Sequence, residues 1–405
     1  MNKKLYPMKF VPIASRRPWG GTYLAKQLGK QFSELGEDGM DVAINADEKI
    51  GESWELADMG REDSPIQNGY LAGSTISDIM ETYMERVVGE KVFEHYGTQF
   101  PLLIKFLDIN DKLSVQVHPD DEIAAQRYDS LGKNEVWYVM DAQPGAKVYM
   151  GFKEDTDPTE FYYACKNGTA DKLLNVIHPK KGDVIIIKPG TVHAADGGIQ
   201  VCEIQESSDL TFRLYDWGRE LDPATARPIH LEEAFDIINF GKFNPEDYIA
   251  AKEGNGKIES TAECFDDCPN FTVNKIVLYD GMHIYTEQMD SFVVYCCLKG
   301  EVSLQMADEN GVTKDYRLLK GDTILVPAEC PDFILSPVEL GSELLESVVH
   351  PVDEPDSYTG DDFDDDDEDC HCENHDCDCH DDDCHCHDHE HHHHDCHCGH
   401  HHHNS

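Results

Sequence analysis

The sequence predicts a mainly β protein: two jelly-roll sandwiches, a few helical inserts and a C-terminal tail that does not fold with them. Three observations predict it. Short β-rich runs alternate with Gly, Pro, Asn or Asp breaks through most of the chain. A Lys-Gly-Asp turn leading into an apolar run occurs twice, at Lys181 and at Lys320. The composition changes abruptly after residue 351.

The predicted strands are VWYVM, KVYMGF, DVIIIKP, IQVCEIQ, LTFRLY, FTVNKIVLY, FVVYCCL, EVSLQM and DTILVP, each bounded by turn residues. Helices enter as inserts. In STISDIMETYMERVVG the apolar residues Ile79, Met80, Tyr83, Met84, Val87 and Val88 recur at helical spacing, with Ser77 as the expected N-cap and Gly89 as the stop. PTEFYYACKNG and TADKLLNVI are expected as a helical pair, and HLEEAFDIINF as the last helix of the first half. The two copies, KGDVIIIKPGTVHA and KGDTILVPAECPDF, are the mark of a duplicated cupin-type jelly roll, a bicupin. The second copy has Pro331 about where the first has His193, and no Gln-x-His precedes it. The first sandwich, residues 1–240, is therefore expected to carry the site, and the second, 241–352, to be metal-free.

The tail, residues 353–405, holds 20 acidic residues, 15 histidines and eight cysteines, with no Lys or Arg. Its two aromatic residues cannot build a packed core, so disorder in the absence of metal is expected. Cysteines alternate as C-H-C, C-D-C, C-H-C and C-H-C among runs of histidine, offering thiolate and imidazole to zinc, nickel or copper. The other seven cysteines are scattered without paired spacing, as in a reduced cytosolic protein. Cys264 and Cys268 lack a second half for a metal site.

The formal charge is −47, from 80 acidic against 33 basic residues. That balance repels nucleic acid and anionic membrane, and it obliges any phosphate site to be a local basic pocket. No run approaches the roughly 20 apolar residues that span a bilayer, and no signal-peptide stretch follows the first lysines. A soluble cytoplasmic protein is expected.

The chemistry concentrates in VQVHP, in the EVWYVM run and in KPGTVHA. Gln116 and His118 are two apart in a β-branched run, so on a strand both leave the same face. Ser114 joins that face. With Glu135 and His193 they supply two imidazoles, one carboxylate and one amide oxygen, which leave a bound divalent ion with net charge +1. Such an ion remains a Lewis acid with room for substrate. The borderline ligand set favours zinc, with manganese, iron or cobalt as alternatives.

These residues also carry a resemblance. RRPWGG, GESWELAD, PLLIKFLD, LSVQVHPDD, GKNEVWY, GDVIIIKPGTVHA and EIQESSDLTFRLYDWGR together resemble the type I mannose-6-phosphate isomerases, in their short bacterial form, over about residues 6 to 350. The resemblance implies a zinc enzyme that interconverts mannose 6-phosphate and fructose 6-phosphate through an enediol(ate), with Gln116, His118, Glu135 and His193 as the ligands. It implies that Arg213 and Lys133 act beside the substrate and that Lys105 faces the cleft, with Ser114 a candidate hydroxyl contact. Glu203 and Asp209 fall at positions where either orients a ligand or serves as base. A sugar phosphate is the implied substrate. The tail has no counterpart in that resemblance.

Overall fold

The computed structural model describes residues 3–36, 40–250, 260–267 and 270–349. Met1–Pro351 forms one compact unit. The tail expectations, and Cys268, lie outside the described residues. The fold is mainly β.

The unit contains four principal sheets. A seven-stranded antiparallel sheet runs in the order Ile249–Ala250, Val184–Ile187, Glu135–Ala142, Ile199–Glu206, Leu102–Ile109, Glu52–Leu56 and Ile13–Ser15. A five-stranded sheet packs on it in the order Leu174–Ile177, Lys147–Phe152, His193–Asp196, Val115–Val117 and Phe212–Tyr215. A six-stranded sheet follows the order Met8–Lys9, Thr323–Val326, Val293–Lys299, Ser342–Val349, Phe271–Leu278 and Thr261–Asp267. The fourth sheet joins Met282–Tyr285, Asp332–Pro337, Glu301–Ala307 and Thr313–Leu319.

The seven-stranded sheet is covered on both faces. Leu107, Ile109, Trp137, Val139 and Val201 pack with Val148 and Met150 of the five-stranded sheet. The alternate residues Ile104, Phe106, Val136, Tyr138, Cys202 and Ile204 belong to the large core shared with the six-stranded sheet. Two-sided burial explains why LLIKFLDI and IQVCEIQE are buried at all eight positions rather than at alternate ones. Two short strands cross between the halves. Met8–Lys9 extends the six-stranded sheet beside Thr323–Val326, and Ile249–Ala250 extends the seven-stranded sheet beside Val184–Ile187.

Three helical expectations need correction. The 76–88 segment is broken: Ile76–Tyr83 ends at Met84, whose φ of 50° stops the first helix, and Glu85–Val88 is a separate turn. Its N-cap is Thr75, not Ser77, because Thr75 closes a reciprocal capping box with Asp78. In TADKLLNVI only Ala170–Lys172 is helical, as a 3₁₀ turn, and Leu174–Ile177 is an edge strand on Lys147–Phe152. HLEEAFDIINF contributes a single turn, Leu231–Ala234. The helix Asp121–Tyr128 has weak amphipathic character and was not anticipated; Asp120 caps it by accepting from the Ile123 amide at 2.9 Å.

Candidate metal centre

Two facing sheets supply the site. On the five-stranded sheet Gln116 is the cross-strand partner of His193 on one side and of Arg213 on the other. Directly opposed residues share a face, so the three side chains emerge together on one rung. His118 follows just beyond the end of Val115–Val117. From the seven-stranded sheet comes Glu135, the first residue of its strand. The neighbouring rung there runs Trp137, Glu203, Lys105 and Trp54, all on the face that Glu135 shares.

His118, Glu135 and His193 are buried, and one ligand atom from each lies within 4.8 Å of the others. His118 Nε2 is 3.3 Å from Glu135 Oε1, and His193 Nε2 is 3.7 Å from Glu135 Oε2. Each ring is oriented by its other nitrogen: His118 Nδ1 lies 2.9 Å from the Leu210 carbonyl and His193 Nδ1 lies 3.0 Å from that of Thr191. Donation from Nδ1 leaves each Nε2 lone pair pointing at the carboxylate, the tautomer a metal requires. Gln116 brings its amide nitrogen to 3.2 Å from His193 Nε2 and accepts from Ser114 Oγ at 3.2 Å. The reversed amide fits the same volume and turns the oxygen toward the cluster.

Among the described residues, four buried side-chain polar atoms lack a hydrogen-bond partner, and three are here: His118 Nε2, Glu135 Oε2 and Arg213 Nε. Each such atom costs about 1–3 kcal/mol if nothing binds it. Two of them aim into a His-Glu-His cluster, so the residues present fit a divalent cation.

Electrostatics agree. Burial would push the Glu135 carboxyl up, but the Lys133 ammonium and the His118 ring outweigh it and hold the group well below the usual carboxylate range. Lys133 Nζ sits 2.7 Å from Glu135 Oε1. Burial, with repulsion from His118, pulls His193 down to about 3, so its imidazole is neutral and able to ligate.

The cleft beside the cluster is lined by five cations, Arg17, Lys105, Lys133, Arg213 and Arg227, and four carboxylates, Glu52, Glu135, Glu203 and Asp209. It is a locally cationic pocket in an acidic chain. Lys105, 3 % exposed, donates to Gln205 Oε1 at 2.9 Å and lies 3.5 Å from Glu203 Oε2. Glu203 also accepts from Trp137 Nε1 at 2.8 Å; burial, with Glu135 adding, pushes its carboxyl up to about 7 against the pull of Lys105 and Lys133. Arg213 donates through Nη1 to the Pro228 carbonyl at 2.9 Å, and burial with repulsion from Arg227 lowers it to about 10. Asp216 is taken by Arg219 and Arg227 rather than by Arg213. Ser114 and Asp209 line the same cleft.

Sequence reasoning assigned no role to Arg17, Glu52 or Arg227. Arg17 grips Glu52 through two hydrogen bonds of 2.8 and 3.1 Å. Their signals, RRPWGG and GESW, were visible as motifs, but their pairing is a tertiary fact.

The description "Phosphomannose isomerase type I, catalytic domain" matches residues 8–146. A mannose-6-phosphate isomerase of Streptococcus mutans is 31 % identical over 312 residues, 77 % of this chain and 89 % of that protein. The chain belongs to the type I phosphomannose isomerases. Another relative, mannose-6-phosphate isomerase ManA of Bacillus subtilis, is 31 % identical over 330 residues, 81 % of this phosphomannose-isomerase chain and 95 % of its own. The crystal structure of the Bacillus subtilis mannose 6-phosphate isomerase superposes with a TM-score of 0.66 at 28 % identity, covering 85 % of this chain and 99 % of that one. A Salmonella typhimurium phosphomannose isomerase, 16 % identical with a TM-score of 0.64, shares the fold. Among the described residues, no helix is long and apolar enough to cross a membrane.

Proposed function

We propose that this chain interconverts D-mannose 6-phosphate and D-fructose 6-phosphate through an enediol(ate), with one zinc ion held by Gln116, His118, Glu135 and His193. The observation that carries this is the pair of unpartnered ligand atoms, His118 Nε2 and Glu135 Oε2, in a cationic cleft. The names of the relatives, all mannose-6-phosphate isomerases, support the substrate. Bound zinc supplies Lewis acidity that polarises a carbonyl.

The protein's own groups do the rest. Arg213, with its permanent charge and unused Nε donor, stabilises negative charge on the reacting oxygens. Lys133 fixes Glu135 and adds positive charge to the same wall. Lys105 and Ser114 bind substrate, with Arg17 and Arg227 adding charge that attracts the phosphate. Glu203, held by Trp137 and Lys105 and titrating near neutrality, is the group best suited to carry the proton between adjacent carbons. Asp209 orients substrate in that scheme. The enzyme acts in the cytoplasm, and its domains are 1–240, 241–352 and the tail 353–405, which binds further zinc, nickel or copper through its cysteines and histidines.

Dialysis against a strong chelator should abolish isomerisation, and zinc should restore it. Glu135→Ala and His193→Ala should give folded, inactive protein. Full activity after removal of all metal, or in either variant, would overturn the assignment.

A further inference from the structure

Residues 132–134 lead into Glu135, and three successive amides there donate to fixed acceptors. Gly132 N donates to Asp121 Oδ1 at 2.8 Å, Lys133 N to the Pro119 carbonyl at 3.1 Å, and Asn134 N to Glu206 Oε2 at 2.8 Å. The Asn134 side chain donates to that same Glu206 oxygen at 2.8 Å. The Glu206 Oε1 atom accepts from Asn270 Nδ2 at 2.7 Å, and Asn270 Nδ2 also reaches Asp121 Oδ2 at 3.1 Å. Asn270 immediately precedes Phe271–Leu278 of the six-stranded sheet. One buried carboxylate, 1 % exposed, thus joins the metal-ligand segment, the Asp121–Tyr128 helix and the second sandwich.

A buried carboxylate is a costly way to hold a strand end, since an apolar residue would close the sheet without desolvating a charge. Burial and the neighbouring Asp121 push this one up to about 7. What it gains in return is directional. Its side-chain oxygens take three hydrogen bonds from Asn134 and Asn270, and Asn134 lies between the two residues whose placement matters most, Lys133 and Glu135. A metal ligand must be held within a few tenths of an ångström, and loss of an outer partner typically lowers activity or affinity 10- to 100-fold. Gly132 contributes by its lack of a side chain: a Cβ there would lie 2.5 Å from the Asp121 amide nitrogen.

We propose that Glu206 is a positioning residue for the isomerase reaction: through Asn134 it fixes the backbone that carries Lys133 and Glu135, and Asn270 ties that brace to the second sandwich. This rests on the reading of Glu135 as a metal ligand. The second sandwich then has a part in the chemistry, as the far anchor of the ligand segment.

The test uses the full-length protein in saturating zinc. Glu206→Ala should lower kcat by about 10- to 100-fold with a smaller change in KM, as removal of an outer partner does elsewhere. Hydrogen exchange at the amides of residues 132–135 should quicken, while exchange in the Phe271–Leu278 strand keeps its rate. Glu206→Gln, which retains an acceptor for Asn134, should recover most of kcat. Asn270→Ala, a milder change, should move the same amides in the same direction, and it serves as the probe if Glu206→Ala does not fold. Unchanged kcat and unchanged exchange at 132–135 in the alanine variants would overturn the proposal, as would faster exchange spread over the whole sandwich. Glu135→Ala in parallel separates the two readings: an active Glu135→Ala enzyme defeats the metal assignment, whereas the exchange at 132–135 judges the brace alone.

Discussion

Gln116 has His193 across from it on one neighbouring strand and Arg213 on the other, so a single backbone register sets two of the proposed metal ligands and the cation proposed to act beside them. The convergence of Gln116, His118, Glu135 and His193 was legible in the sequence because a Gln-x-His alternation, a Lys-x-Glu strand start and a Pro-Gly turn before His193 each fix a side-chain direction locally. Arg17 and Glu52 were not legible in the same way, since their bidentate pair joins residues 35 apart and depends on strand order. Two predictions belong at this scale. Arg213→Ala should be lost mainly as kcat, by about 10²-fold or more, because charge stabilisation is realised in the transition state. Lys105→Ala should mainly raise KM; steady-state kinetics of the two variants decide the division of roles, and a pure KM effect for Arg213 refutes it. The second concerns Glu52. Burial would raise its carboxyl, but Lys105 and Arg17 prevail and hold it at about 2, below its ordinary 4.5. The unfolded chain therefore takes up that proton first as pH falls. The stability that ionised Glu52 contributes is complete above pH 4.5 and is lost progressively as pH drops from 4.5 through 2. Urea midpoints of Glu52→Gln should fall less steeply than those of the parent across that window, and parallel curves would refute the pairing.

Among the elements, strands were more legible than helices. Sheet runs announce themselves by β-branched and aromatic residues between turns, whereas the 76–88 pattern kept its helical spacing through a break at Met84 that only the tertiary fold imposes. Leu174–Ile177 reads as helix in the sequence because a short apolar run has no period of its own; pairing with Lys147–Phe152 makes it a strand. Asp290 helps to fasten the helical insert to the second sandwich, alongside the Arg86–Glu329 ion pair. Asp290 accepts from the Glu90 and Lys91 amides at 3.0 and 3.1 Å, capping Glu90–Tyr96 from outside. Gly89, at φ +100°, lets the chains meet: a Cβ there would lie 2.0 Å from the Asp290 carbonyl oxygen. Asp290→Ala should cost about 1 kcal/mol, the usual value of a lost cap. Gly89→Ala should cost more, because it adds a clash with backbone to a left-handed conformation. Denaturant unfolding measures both, and the reverse ranking would refute this account.

At the scale of the molecule, the repeat at Lys181 and Lys320 made two sandwiches legible, and the continuous apolar runs hinted at strands buried on both sides. What no local pattern announces is that the halves share a wall. The tail stands apart from this. Truncation near residue 352 should leave kcat and the thermal midpoint nearly unchanged while removing most zinc capacity beyond the catalytic ion. Its binding should weaken toward pH 5 as imidazoles and thiolates take up protons. Metal titration of the two forms checks this, and equal capacity would make the tail an inert acidic extension. The shared wall has a different consequence. The seven-stranded sheet that floors the site also shows Phe106, Val136, Tyr138, Cys202 and Ile204 to the other half. A gene cut between the sandwiches would encode a first fragment with that face open to water, and a second lacking the strand Met8–Lys9 that borders its own sheet. Each fragment should aggregate when expressed alone, and the pair should be rescued by co-expression. Neither sandwich can then be deleted without exposing the core of the other.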